Sequence, residues 1–392
     1  MEIKEIVKNV YAVGSKDPHR PLFDQLMPLS EGTSYNSYLI KGNDKIALID
    51  TVYPPFEEEI ENKLKDMGID RIDYIIADHG EQDHSGALPK LLEKYPMAKI
   101  VTNAKCKEIT MGFLPLSDEQ YMVVEDRAEL DLGGKTLQFI FAPWVHWPDT
   151  MFSFLKEDRI LFSTDFFGAH ATNFDLFWDE DPSIIPLAKG YYAEIMMPFA
   201  RIFQKYLPMV EELKPAMIAS SHGPIYRRPQ FIIDLYKQWS GAQKKNQVVI
   251  VTVSMYGSTT QMVDYLKAEL EAKGISVKQH DAVHLNMNAL ACDLVDSAGL
   301  IVATPTVLTG PHPAVVEPIF LANVLKPTLK YVTLIGSYSW GTMVVQKVKE
   351  MLGNLKDTTI LEPVLSKGTP KEADLTALKA LAGQIEQMHQ TL

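Results

Sequence analysis

Beyond residue 245, strand-like and helix-like runs alternate without a break, and that regularity leaves few folds open. The series reads VVIVTVS, TTQMVDYLKAELEAKG, ISVKQHDA, ALACDLVDSA, GLIVATPT and HPAVVEPIFLANVLK, then YVTLIGS, a helix from Gly341, TILEPVLS and a last helix from Pro370. Strands that are each followed by a helix predict a doubly wound, five-stranded parallel sheet, because parallel neighbours need crossover connections over the sheet faces. The polar stretch YKQWSGAQKKNQ (236–247) closes a helix just before the first of these strands, so a domain boundary is expected near residue 245. That gives domains of 1–245 and 246–392.

The first of these reads differently. Strand-like runs (YLIKGNDKIALID, YIIADH, KIVTN, KTLQFIFAP, RILFSTD) are interspersed with helical ones such as EEEIENKLKDMG and LPKLLEKYP, as in two packed sheets with helices outside them. A chain of 392 residues has room for both domains. Fifty acidic residues against 38 basic ones leave a net charge of -12, which disfavours nonspecific attraction to nucleic acid or anionic membrane. A small neutral substrate or a basic protein partner fits better. The N-terminus lacks a signal-peptide pattern, and no window approaches the roughly 18–20 apolar residues of a membrane span, so the chain is expected in the cytoplasm. Its cysteines are Cys106 and Cys292, with no CxxC pair. This excludes a disulfide framework, a zinc ribbon and an iron–sulfur site held by several cysteines, and both thiols are expected to be buried.

The densest chemistry lies in IIADHGEQDHSG (75–86), where His79, Glu81, Asp83 and His84 crowd together at the end of an apolar run. Imidazoles and carboxylates are hard-to-borderline metal ligands, and a strand end is where active sites gather. Alternation along extended chain would put His79, Glu81 and Asp83 on one face, with His84 aimed elsewhere. Three further candidates follow in order: His146 in PWVHWPDT, Asp165 in ILFSTDFFG and His222 in IASSHGPIY. Singly, each has an ordinary explanation: a packed histidine, a helix N-cap, a turn.

The second domain offers three loops at strand ends, where doubly wound sheets bind ligands. In VTVSMYGSTTQM, Ser254, Ser258, Thr259 and Thr260 supply hydroxyls beside Met255 and Tyr256, Gly257 permits a tight turn, and a helix N-terminus offers free amides. It is a phosphate cradle with neither GxGxxG nor GxxxxGK[ST], which suits a mononucleotide. The Gly/Pro-rich turns ATPTVLTGPHP, with Thr304, Pro305, Thr306 and Gly310, and GSYSWG, with Ser337, Tyr338, Ser339, Trp340 and Gly341, complete the set. Tyr338 and Trp340 could stack on a flat ring system.

The string H-x-[HE]-x-D-H, followed in order by His146, Asp165 and His222, resembles the metal motif of the metallo-β-lactamase superfamily. Glu81 stands where the zinc hydrolases of that superfamily carry histidine, and the added carboxylate suits a redox-active pair of irons better than zinc. With HWPDT and GTSYNSYL (32–39), the resemblance narrows to the flavodiiron proteins and spans nearly the whole chain. It implies a metallo-β-lactamase-like αββα sandwich followed by a flavodoxin-like domain. One iron would take His79, Glu81 and His146, the other Asp83, His84 and His222, with Asp165 bridging. The three loops match where flavodoxins hold FMN.

The resemblance further implies reduction of dioxygen to water or of nitric oxide to nitrous oxide, electrons arriving through FMN, and a head-to-tail homodimer or a homotetramer. With no rubredoxin-like or reductase segment in the sequence, an external donor such as rubredoxin or reduced F420 is expected. A similar YY segment lies near the metals in family members, which draws attention to Tyr191 and Tyr192; His170 is a candidate for the substrate pocket. His280 and His284 read as surface residues. The alternative is a zinc-dependent hydrolase of the lactamase superfamily fused to a flavodoxin-like module, and an electron-storage protein without catalysis is a third reading.

Overall fold

A computed structural model describes residues 2–178 and 181–392. The chain divides into two compact units, one of Met1–Gln25 and Leu29–Lys237, the other of Gln238–Leu392 together with Leu26–Pro28.

The first unit contains two seven-stranded sheets. In one, strands Lys4–Val7, Val10–Ala12, Tyr38–Lys41, Ile46–Ile49, Tyr74–Ile76, Lys99–Thr102 and Tyr121–Val123 lie side by side in chain order. In the other, the order is Glu129–Asp131, Thr136–Phe141, Met151–Leu155, Ile160–Phe162, Met217–Ala219, Ile225–Tyr226 and Phe177–Trp178. Ile40, Ile49, Ile76 and Val101 of the first sheet share one buried cluster with Leu137, Phe139, Leu155 and Phe162 of the second. Two sheets therefore bury their facing sides against each other. The opposite face of the first sheet packs Leu39, Leu48 and Ile75 against Ile60 and Leu64 of helix Glu57–Asp66 and Leu88 and Leu91 of helix Leu88–Lys94. Sheet against sheet with helix outside is the expected sandwich.

In the second unit the strand order is Ser276–Asp281, Lys245–Thr252, Ser297–Val307, Tyr331–Tyr338, Thr359–Ile360, every neighbouring pair parallel. This is the flavodoxin-type order 2-1-3-4-5. Helix Ser258–Ala272 and the last helix, Glu372–His389, cover one face through Met262, Leu266, Leu378 and Ile385. The central strand, Ser297–Val307, is buried along nine successive residues, which accounts for its unbroken apolar reading.

Details depart from the sequence expectation for local reasons. Thr304–Thr306 belong to the strand rather than to a turn, because the parallel ladder continues through Thr304–Gly336 and Pro305–Ser337. Gly310–Pro311 then folds back antiparallel on Thr306 and Val307. TILEPVLS forms two short strands, Thr359–Ile360 and Val364–Lys367, interrupted at Pro363, which has no amide hydrogen to donate. The helix expected from Gly341 starts at Val344, where the Thr342 hydroxyl accepts from the first amide at 3.2 Å. Cys106 is buried as expected, but Cys292 is only partly so. Among the described residues, no helix is long and apolar enough to cross a membrane.

The last helix is tied to the sheet by a polar chain. The Asn246 side-chain oxygen accepts from His389 Nδ1 (2.7 Å), which leaves Nε2 to accept from the Tyr331 hydroxyl (2.9 Å). Burial holds the His389 pKa below its ordinary value near 6.5. A depressed folded-state pKa means stability present above about pH 6.5 and lost as pH falls through the folded value. The melting temperature of the second unit should therefore fall between about pH 7 and pH 5. Replacing His389 with Gln should flatten that dependence in a thermal scan series.

Candidate metal centre

Strands of both sheets deliver the candidate ligands from their carboxyl ends. Strand Tyr74–Ile76 leads into His79 and Glu81, and a single helical turn, Gln82–Ser85, then carries Asp83 and His84. That turn corrects the alternating-face expectation. Because the chain coils after Glu81, Asp83 sides with His84 instead of with His79 and Glu81. His146 follows strand Thr136–Phe141, Asp165 follows Ile160–Phe162 and His222 follows Met217–Ala219. Thr164, just before Asp165, is held at φ +48°, a conformation costly for a β-branched residue and often found at functional sites.

All seven side chains converge in two adjoining groups: His79, Glu81, His146 and Asp165 in one, Asp83, His84 and His222 in the other. Asp165 serves both. Its Oδ2 lies 3.5 Å from His79 Nε2 and 3.3 Å from His146 Nε2, while Oδ1 lies 3.2 Å from His84 Nε2 and 3.3 Å from His222 Nε2. Glu81 Oε2 closes the first group at 3.2 Å from His79 and 3.4 Å from His146. Asp83 closes the second, with Oδ1 3.4 Å from His84 and Oδ2 3.3 Å from His222.

Two nitrogen or oxygen atoms that share one ion at about 2.1 Å stand roughly 3.0–3.4 Å apart. The observed spacings of 3.2–3.4 Å fit that figure, and the 3.5 Å between His79 and Asp165 lies just beyond it. Both Asp83 oxygens, Asp165 Oδ2, both His84 nitrogens and His222 Nε2 are buried without a hydrogen-bond partner. So many unpaired polar atoms in one place are unfavourable unless a cation satisfies them. The donor set of imidazoles and carboxylates, with no thiolate, matches a pair of irons.

The side chains also perturb one another. Burial alone would lower the His222 pKa, but Asp165 and Asp83 more than reverse this and raise it to about 10. His146, likewise opposed by burial, is raised to about 9 by Asp165 and Glu81. Against its own burial, Asp165 is held far below the carboxylate range by His84, His146 and His222. Asp165 and Glu81 are thus ionised at neutral pH and present negative charge to a cation.

Several surrounding residues were not assigned a role from the sequence. The Thr33 hydroxyl lies 3.0 Å from His170 Nδ1, and the Ser34 carbonyl accepts from His222 Nδ1 at 2.6 Å. Asn36 donates to the carbonyls of Ser220 and Gly223, so GTSYNSYL grips the loop that carries His222. Its Thr, Ser and Asn are the signal, but nothing in their order names the partner strand. His170 is buried, with its ring 4.3 Å from Phe23, 4.8 Å from Tyr191 and 5.8 Å from His222. Tyr191 ends helix Ile184–Tyr191, and Tyr192 opens a π-helical turn, Tyr192–Met196. The Tyr191 hydroxyl donates to Asp165 Oδ1 at 2.7 Å. A hydrogen bond to a charged acceptor contributes about 1.5–3 kcal/mol. Tyr191→Phe should accordingly retain both metal ions while slowing turnover by about tenfold, read from metal content and steady-state rate together.

In the second unit, Gly257 adopts φ +87° immediately before helix Ser258–Ala272. The Ser254 hydroxyl accepts from the amides of Gly257 (3.1 Å) and Thr260 (3.4 Å), and Thr259 and Ser337 hydroxyls lie 3.3 Å apart. Tyr256, Leu308 and Trp340 are 90%, 84% and 75% exposed around these loops, an open rim of apolar side chains. The surface reading of His280 and His284 holds for one of them: His284 is exposed, whereas His280 lies in a strand, half-buried and 3.0 Å from Asp293.

Residues 33–223 match the ODP family beta lactamase profile and residues 250–380 match Flavodoxin. The nitric oxide reductase of Moorella thermoacetica is 34% identical over 370 residues, covering 91% of each chain. Rubredoxin oxygen:oxidoreductase from Desulfovibrio gigas superposes with a TM-score of 0.93 at 28% identity, covering all of this chain and 99% of that one. The flavodiiron protein of Giardia intestinalis gives a TM-score of 0.90 at 27% identity, over 100% and 97% of the two chains. The cofactors of such a chain are FMN and a non-haem diiron centre, the latter in keeping with the two ligand groups joined by Asp165. The convergence of those seven side chains, the 2-1-3-4-5 sheet and the match along the whole length show that this oxidoreductase belongs to the flavodiiron protein family.

Proposed function

We propose that the protein reduces dioxygen to water, or nitric oxide to nitrous oxide, at irons held by residues of 1–245, with electrons passed through FMN held by residues of 246–392. The observation that carries this reading is Asp165, whose two oxygens face one ligand group each. One iron would be held by His79, Glu81 and His146, the other by Asp83, His84 and His222, and Asp165 would join them. When bound, two ferrous ions and a two-electron flavin supply the four electrons that convert one dioxygen and four protons into two waters.

The chain's own residues do the rest. Three carboxylates, Glu81, Asp83 and Asp165, offset the charge of the irons. The Tyr191 phenol, whose pKa burial and Asp165 push well up, keeps its proton at the hydroxyl oxygen and donates it in the hydrogen bond to Asp165. Trp147, edge-on to His79 at 5.0 Å, and Phe23, 5.7 Å from His222, wall the centre against water. FMN would sit among Ser254–Thr259, Thr304–Thr306, Gly310 and Ser337–Gly341, its phosphate at the helix start after Gly257 and its ring beside Tyr338 or Trp340.

The donor is proposed to be a separate redox partner of the rubredoxin or reduced-deazaflavin type, and the working form a cytoplasmic homodimer or homotetramer in which one copy's flavin serves the other copy's irons. A fully active monomer in solution would contradict that arrangement. Glu81→His tests the choice of metal: the variant should take up zinc in preference to iron and lose gas reduction, as shown by metal analysis after growth on both metals. Undiminished iron content and gas consumption would show that Glu81 does not select the metal.

A further inference from the structure

We infer that Asp149 is a positioning residue for the metal centre: it fixes His79 with its proton on Nδ1 and gives the position of His79, Glu81 and His146 a higher metal affinity than its neighbour. The inference rests on the reading of the seven residues as ligands.

Asp149 is buried; its Oδ2 and its main-chain carbonyl are hydrogen-bonded, while Oδ1 has no partner. Its Oδ2 accepts from the Gly80 amide at 2.7 Å and lies 3.3 Å from His79 Nδ1. Its carbonyl accepts from the Asn103 side chain at 2.6 Å, and Asn103 in turn caps helix Ala104–Phe113 by accepting from the amides of Lys105 (3.0 Å) and Cys106 (2.9 Å). The residue is therefore tied through its main chain to a helix start and through its carboxylate to the ligand loop. Space at that loop is tight: a Cβ at Gly80 would lie 2.9 Å from Ile109 Cγ2 and 3.1 Å from Asp149 Oδ2.

An ionised carboxylate only accepts hydrogen bonds, so the imidazole must carry its proton on Nδ1. The Nε2 lone pair then points where Glu81 Oε2 and Asp165 Oδ2 converge, at 3.2 and 3.5 Å. The other ligand group is backed differently. His222 Nδ1 donates to the neutral Ser34 carbonyl at 2.6 Å, and His84 Nδ1 has no hydrogen-bond partner. A full negative charge behind the ring makes His79 the more basic ligand, and removing such a support weakens metal binding by about 10–100-fold. The two positions are thus built unequal.

The test is a titration of metal-free, FMN-loaded protein with cobalt(II) under anoxia, followed by visible absorption. Unmodified protein should fill in two steps, the tighter first. Asp149→Asn, which keeps the shape but removes the charge, should weaken the first step by about 10–100-fold and leave the second unchanged; Asp149→Ala should weaken the first further. Unchanged isotherms, or equal weakening of both steps, would overturn the inference. Failure of the unmodified protein to bind cobalt at all would defeat the metal-site reading instead. A measurement on unmodified protein guards against a variant that does not fold. With zinc bound and histidine 15N-labelled, His79 should show a protonated Nδ1 and a metal-bound Nε2, and metal on Nδ1 would equally overturn the inference.

Discussion

Asp165→Ala should strip the protein of most of its iron and lower dioxygen or nitric oxide consumption by more than about a hundredfold. Of the seven candidate ligands Asp165 alone faces both groups: Oδ2 faces His79 and His146, and Oδ1 faces His84 and His222. On the proposed reading its removal would take a ligand from each iron and leave four buried imidazoles facing each other with less negative charge between them. The loss should exceed that from changing a supporting residue, for which 10–100-fold is usual. FMN content should be untouched, because the loops proposed to hold it belong to the other unit. Iron analysis, flavin absorbance and rates on one preparation separate these outcomes. A variant retaining both irons would mean that Asp165 does not join them.

Gly336→Ala should destabilise the flavodoxin-like unit by about 3 kcal/mol and release FMN at lower temperature. A Cβ at this position would stand 2.0 Å from the Thr304 carbonyl oxygen on the neighbouring strand. The obstacle is backbone near the carboxyl end of a parallel ladder, so relief requires the strands to separate where Thr304–Gly336 and Pro305–Ser337 pair. That separation would move two of the loops proposed to hold the flavin. A urea titration followed by flavin fluorescence measures it, and the metal content of the first unit should not change. Unaltered stability would show that the ladder yields there at little cost.

The sequence carried the architecture where periodicity is strong. Alternating runs beyond residue 245 could be read as a doubly wound sheet because Ser297–Val307 is buried along nine successive residues and helices Ser258–Ala272 and Glu372–His389 lay apolar residues on the sheet. The candidate ligands could be picked out because seven residues of the right chemistry follow one another at strand ends, and the structure brings all seven together. Their partition was less so from the residues alone. Extended-chain alternation grouped Asp83 with His79 and Glu81, whereas the turn Gln82–Ser85 rotates Asp83 towards His84 and His222; only the family resemblance gave that division. Supporting residues were hidden because their partners are remote in sequence. Asp149 reaches His79 from 70 positions away, and Ser34 reaches His222 from 188. The strand that absorbs Thr304–Thr306 was masked by its proline, which reads locally as a turn but sits in a ladder made possible by Gly336.

The most direct test is stoichiometric. Purified protein, with FMN and iron quantified, is reduced under anoxia and then given separate pulses of dioxygen and nitric oxide. Rapid consumption of at least one gas is expected, with the iron and flavin reoxidised together and no hydrogen peroxide released from dioxygen. A protein that holds zinc, hydrolyses thioesters or β-lactams, and consumes both gases no faster than free reduced flavin would contradict the account.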